Sequence, residues 1–301
     1  MTAATHRLEF FADVNAFLGE ASDYLAERPV LSTVIATMAA RAVADGVTGA
    51  GTPSDVPAWW LVVRDGHGHV VSAAMRTAPF APYPAFLLPM PAAAALVLAR
   101  EVHGRGETLG GLNGSRPAVD VVASELARLT GGSTSVAQHT RLFELGELVE
   151  PSPPPGALCV AEQDDAQLVW EWWDAFRRDA DEQAGRPPGS LAEHTPDLAS
   201  LVRRIEAGQI RLWIDEAGDR VHFTAANPPS FGVARIGPVY TPPYARGRGY
   251  ASAAVGQVSR VIRDSGSQAC LFTDQANPTS NHIYTDLGYR PVVDMANLQI
   301  S

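Results

Sequence analysis

Cysteine is scarce in this sequence: only Cys159 and Cys270 occur, far apart and without the paired spacing of a metal site. They read most simply as reduced thiols of a cytoplasmic protein, with a disulfide as the alternative, and no metal is expected. Long apolar runs are missing too. A bilayer-spanning helix needs roughly 20 apolar residues, and the longest candidate, around Pro91–Arg100, is short and alanine-rich. The opening MTAATHRLEFFADV lacks a basic leader with a long apolar core, so neither a signal peptide nor a membrane partner is expected. Basic charge is in deficit, with 23 Lys+Arg against 33 Asp+Glu and a formal net charge of -10. That balance argues against nucleic acid and anionic membranes, which require a basic footprint. It mildly favours a cationic small substrate.

What is present describes a globular chain. Hydrophobic residues make up 46% and charged residues 19%, enough apolar matter for a proper core. The 301 residues suit two ordinary domains. Glu150–Gly156 reads EPSPPPG, and three successive prolines can continue neither a helix nor a central strand. The expected division is therefore 1–149, a linker over 150–156, and 157–301.

After the linker, ALCVA (157–161) reads as a strand. A helix over Asp164–Asp179 carries Val169, Trp170, Trp173 and Phe176 at helical spacing, which leaves Trp172 on the rim. A further helix is expected over Leu191–Ala207, interrupted at Pro196. A hairpin over 210–225 turns at EAGD, and a strand follows over Val233–Tyr240. Then come a helix from Gly247, strand Ala269–Thr273, a helix over Pro278–Leu287 and a last strand from Tyr289. The first part repeats this order in outline: helices over 10–25 and 31–44, the hairpin WWLVV/HVVSAAM, then alternating strands and helices to Leu148. Trp59 and Trp60 alternate along that hairpin, one inward and one outward. An internal duplication is the natural reading.

The chemistry concentrates in TPPYARGRGYA, Thr241–Ala251. A strand ends, two prolines stiffen a turn, and Arg246-Gly247-Arg248-Gly249 opens a helix. The first N–H groups of a helix lack intrahelical partners and carry partial positive charge. Glycine lets a ligand approach that backbone, and a diphosphate suits such a place. Arg246 and Arg248 would add charge-assisted bonds. Read alone, RGRG is equally well an exposed turn, and it matches neither a P-loop nor a dinucleotide-binding glycine pattern.

Context sharpens the motif. Arg235–Ala251 (RIGPVYTPPYARGRGYA) with Cys270–Val292 (CLFTDQANPTSNHIYTDLGYRPV) resembles the GNAT superfamily of acyl-CoA-dependent N-acyltransferases. Arg246, Gly249 and Ala251 match its R/Q-x-x-G-x-G/A signature. The resemblance is specific over 210–300, while PAAAALVLAR in the first part has no arginine–glycine loop. It implies an α/β (α+β) fold of two GNAT-like domains, each a central mixed, mostly antiparallel sheet flanked by helices. The first would be degenerate and without cofactor.

The resemblance also implies roles. Acetyl-CoA would be the co-substrate, with Pro238, Val239 and Tyr240 offering backbone groups to its pantetheine arm. Arg246, Gly247, Arg248, Gly249, Tyr250 and Ala251 would hold the diphosphate. Asn277 and Asn281 would reach the arm, although Asn277-Pro278 is also a good helix cap in its own right. Tyr284 would face the departing thiolate as catalytic acid, the alternative being a core aromatic beside Ile283 and Leu287. No carboxylate lies on ARIGPVY, so the base is open among Glu171, Asp174, His222 and Asp274, or is dispensable. The acceptor would be a primary amine on a small molecule or a protein, and the chain a monomer or homodimer. The alternative function is a non-catalytic acyl-CoA-binding or regulatory protein.

Overall fold

A computed structural model describes residues 6–46, 56–187 and 195–301. In chain order the first part holds β1 (Arg7–Phe11), α1 (Val14–Glu27), α2 (Thr33–Ala44), β2 (Trp59–Arg64), β3 (Val70–Arg76), β4 (Ala85–Leu87), α3 (Ala92–Gly104), β5 (Gly111–Ser115), α4 (Ala118–Thr130) and β6 (Thr134–Leu145). The second holds β7 (Ala157–Val160), α5 (Ala166–Gln183), α6 (Leu198–Glu206), β8 (Ile210–Ile214), β9 (Arg220–Ala226), β10 (Val233–Tyr240), α7 (Tyr250–Asp264), β11 (Gln268–Asp274), α8 (Pro278–Asp286) and β12 (Tyr289–Ile300). Both parts thus run strand, two helices, hairpin, strand, helix, strand, helix, strand. β1 was not anticipated, and the helix expected from Phe10 begins at Val14, where the Asp13 carboxylate caps Ala16 N–H at 2.8 Å. The helix expected over 191–207 starts at Leu198 behind the Asp197 cap; residues 191–194 lie outside the described residues.

The chain forms two compact units, Met1–Thr140 with Val293–Ser301, and Arg141–Val292. Their boundary falls within β6 and again within β12, so it differs from the division expected at 150–156. The proline-rich segment is packed within the second unit. Trp213 donates its indole N–H to the Pro155 carbonyl at 3.1 Å, and a Cβ at Gly156 would fall 2.2 Å from the Ile214 oxygen. Prolines fix an extended course, which serves a packed edge as well as a spacer.

In the first unit the sheet order is β1-β2-β3-β4-β5-β12-β6. β4 and β5 run parallel, while β1–β2, β2–β3, β3–β4 and β5–β12 are antiparallel. Both faces are covered. Trp59, Leu61 and Val63 pack with α3 and α4, and Trp60 and Val62 pack with α1 and α2. Neither Trp59 nor Trp60 faces outward, contrary to the simple alternation, because helices lie on both sides of this strand.

In the second unit the order is β12-β6-β11-β10-β9-β8-β7. β10 and β11 are parallel, and the β7–β8, β8–β9 and β9–β10 ladders are antiparallel. α5 and α6 cover the face bearing Leu212, Phe223 and Tyr240. α7 covers the opposite face, packing on Trp213 and Val221 at one end and on Ile236 and Leu271 at the other.

Candidate functional site

The β10–β11 ladder pairs Val233–Ile236 with Gln268–Leu271. It ends there, although β10 continues to Tyr240 and β11 to Asp274. Gly237 has φ +144°, a conformation open to glycine, and Pro238 has no N–H to donate. The register of β10 against β9 shifts between Ile236 and Val239 as a result. These two residues end the parallel pairing and leave the backbone of residues 237–240 without ladder partners on the β11 side.

Past Tyr240, a 3-10 turn over Pro243–Ala245 leads to Arg246. Gly247 (φ +76°) and Gly249 (φ +83°) take left-handed conformations, and nothing lies within 4 Å of a Cβ built on either. The backbone here is open to its surroundings and held in conformations that favour glycine. α7 starts at Tyr250 without a side-chain cap, so its first N–H groups have no side-chain partner. Tyr250 itself turns inward, its ring 6.0 Å from that of Trp213. Arg246 donates from Nε to the Thr241 carbonyl at 3.0 Å and pairs through Nη2 with Asp179. Arg248 is exposed, its closest described partner being the Tyr244 carbonyl at 3.4 Å.

Tyr284 projects from α8 into the core beside Ile236, Val255, Leu271 and Tyr289, with Val239 packed alongside. Burial pushes its phenol up to about 12, so it holds its proton at neutral pH. Asn277 caps α8 by accepting from Ser280 N–H at 3.0 Å, and its amide donates to Gln183 Oε1 at 2.9 Å. Asn281 donates to the carbonyls of Asn277 (2.8 Å) and Asp274 (3.1 Å). Both asparagine amides are thus engaged in the β11–α8 turn.

Comparison with known proteins matches this half to a family model described as FR47-like protein, over residues 228–296. Solved structures match nearly the whole length. A Drosophila protein of 13% identity superposes with a TM-score of 0.65, covering 99% of both chains. A GCN5-related N-acetyltransferase from Sphaerobacter thermophilus, 15% identical, gives 0.58 over 97% of this chain and 94% of that one. A tandem GNAT protein from the clavulanic acid biosynthesis pathway, 17% identical, gives 0.55 over 98% of both. The chain therefore shares the fold of these GNAT proteins along nearly its whole length. No curated protein sequence matches it significantly.

The two units differ at the corresponding strand pair. In the first, β4 pairs with β5 through Leu87↔Gly114, and only residues 88–91 separate β4 from α3. A Cβ at Gly114 would lie 2.1 Å from the Leu87 oxygen, so these strands close tightly. No glycine–arginine loop precedes α3. Among the described residues, the second unit alone combines an opened strand pair with an uncapped, glycine-flanked helix start.

The acid–base candidates separate sharply. His222 is fully buried between the hydroxyls of Thr241 (2.8 Å) and Thr224 (2.6 Å), and burial pushes its pKa down to about 3. It is a neutral structural group. Asp274 accepts from Ala276 N–H at 2.8 Å and pairs with Arg186 at 2.6 Å. Asp174 pairs with Arg178, and Glu171 accepts from Gln167 at 2.8 Å on the exposed side of α5. Sequence reading missed Asp179, whose carboxylate accepts the Tyr240 hydroxyl at 2.9 Å and meets Arg246. Burial, followed by this contact with Asp179, pushes Tyr240 up to about 12. The available signal was an acid continuing the stripe of Trp172 and Phe176 at helical spacing.

The tryptophans of α5 also need correction. Trp172 is 8% exposed and packs on Phe223 and Tyr240, whereas Trp170 is 37% exposed. Trp173 is half-buried, stacked on Phe223 at 6.0 Å. The helix rotates so that Val169, Trp172 and Phe176 form the inner stripe, because Phe223 and Tyr240 are the aromatic partners on the facing strands. Cys159 and Cys270 are free thiols. Among the described residues no helix is long and apolar enough to cross a membrane, and no group of His, Cys, Asp and Glu suited to a metal ion assembles.

Proposed function

We propose that this chain transfers an acetyl or short acyl group from acetyl-CoA to a primary amine, on a small molecule or a protein. The observation that carries this is the opened end of β10 leading directly into the cradle at Gly247–Gly249. The freed backbone of Pro238, Val239 and Tyr240 hydrogen-bonds the pantetheine arm. The N–H groups of residues 247–251, with the side chains of Arg246 and Arg248 beside them, bind the diphosphate. Acetyl-CoA, when bound, supplies the activated acyl carbon.

Positioning then performs most of the work. Backbone N–H groups at the β10 bulge polarise the carbonyl. The amine nitrogen bonds to the acyl carbon and the carbon–sulfur bond breaks; Tyr284 gives its proton to the leaving sulfur, and the proton shed by the acylated nitrogen returns through solvent to the phenolate. The phenol arrives protonated, as burial keeps it. Asn277 and Asn281 act indirectly, holding the turn that aims α8.

Calorimetry with CoA and acetyl-CoA tests the cradle: binding is expected, and R246E/R248E should abolish it. Absence of binding to the unmodified chain overturns the proposal. A second reading, an acyl-CoA-binding protein without turnover, draws on Glu171, Asp174, His222 and Asp274 all being engaged elsewhere. Thiol release that depends on an added amine separates the two.

A further inference from the structure

We propose that Asp179 is the resident counter-anion of the cradle, occupying Arg246 until the cofactor's diphosphate takes its place. The inference rests on the cofactor reading above and adds a regulating residue to it. Arg246 is fixed at two nitrogens: Nε by the Thr241 carbonyl at 3.0 Å, and Nη2 by Asp179. The same Asp179 oxygen, Oδ2, accepts the Tyr240 hydroxyl at 2.9 Å, so the carboxylate is held against the end of β10. Its carrier is anchored as well. Arg186, just beyond α5, pairs with Asp181 at 3.1 Å and Asp274 at 2.6 Å, and Gln183 accepts from Asn277. These contacts keep the end of α5, and with it the charge of Asp179, beside the cradle.

Two effects compete. Asp179 orients Arg246, which would help an anion bind, and it places a fixed negative charge beside that anion, which would hinder it. The side chains of Arg246 and Asp179 are 37% and 21% exposed, and pairs this open contribute little net order or stability. Thr241 holds the guanidinium independently. The repulsion between Asp179 and a multiply charged diphosphate has no such substitute, so it prevails. Arg246 exchanges one anion for another, and the exchange lowers the apparent affinity for the cofactor.

Asp179→Asn tests this, because it keeps an oxygen for the Tyr240 hydroxyl while removing the charge. Calorimetry of the full chain with CoA should show binding tightened about 3- to 10-fold in D179N, the scale of one removed like charge near a solvated site. The gain should vanish in a D179N/R246Q background compared with R246Q alone, and shrink at high salt. Thermal unfolding of each variant checks that the fold is kept. Unchanged or weaker binding in D179N, or a gain that survives R246Q, overturns the inference while leaving the cofactor reading intact. No binding to the unmodified chain sinks both.

Discussion

The backbone oxygen of Leu87 lies 2.1 Å from where the Cβ of any residue other than glycine would stand at position 114. Gly114 also has φ +134°, so a side chain there is both clashing and strained. Gly114→Ala should destabilise the first unit by roughly 3 kcal/mol or more, since neither backbone can give way cheaply. Urea unfolding measures it. A variant as stable as the parent would mean that β4 and β5 are not closed against each other.

Tyr284→Phe removes the proton donor and keeps the ring. It should lower kcat on the order of 10- to 100-fold while leaving the KM for acetyl-CoA nearly unchanged, the pattern of an interaction made only in the transition state. Steady-state thiol release decides it. Equal kcat values would return Tyr284 to the core.

His222 gives a pH prediction. Its pKa falls from 6.5 to about 3 through burial, so the folded chain keeps it neutral where the unfolded chain takes up a proton. The resulting stability is present above the unfolded pKa and is lost as pH falls from about 6.5 towards 3, by an amount on the order of a few kcal/mol. Denaturant midpoints measured down this range should fall less steeply in His222→Gln than in the parent.

Tryptophan truncation on α5 should separate neighbours in sequence. Trp172→Ala leaves a cavity among Phe223 and Tyr240 and should cost about 3–5 kcal/mol, whereas Trp170→Ala on the exposed side should stay within about 0.5 kcal/mol. Reversed magnitudes would show the helix rotated the other way.

Fragment boundaries offer a fifth test. A piece spanning 157–301 lacks residues 141–145 of β6, which belong to the second unit, and carries 293–301, which belong to the first. It should unfold without cooperativity, while 141–292 should show a cooperative transition in thermal denaturation. Equal cooperativity in the two would restore the proline-rich segment as the functional divide.

Much of this was legible in the chain itself. The order of helices and strands follows from periodicity and caps such as Asp197 and Asn277, which act over a few residues. The RGRGYA loop and the interruption at Gly237-Pro238 are equally local, since glycine and proline impose their conformations wherever they stand. Those features sufficed to anticipate a GNAT fold.

Tertiary structure alone decided which unit owns which strand, because β6 and β12 read as ordinary strands until their partners are known. It set the rotation of α5, since Trp170, Trp172 and Trp173 are equivalent until Phe223 and Tyr240 supply a surface to pack on. It also brought Asp179 to Arg246: spacing puts this acid on the inner stripe of α5 but does not name its partner. Sequence fixes what lies within a turn or two of each residue, whereas contacts across many residues depend on how whole elements pack.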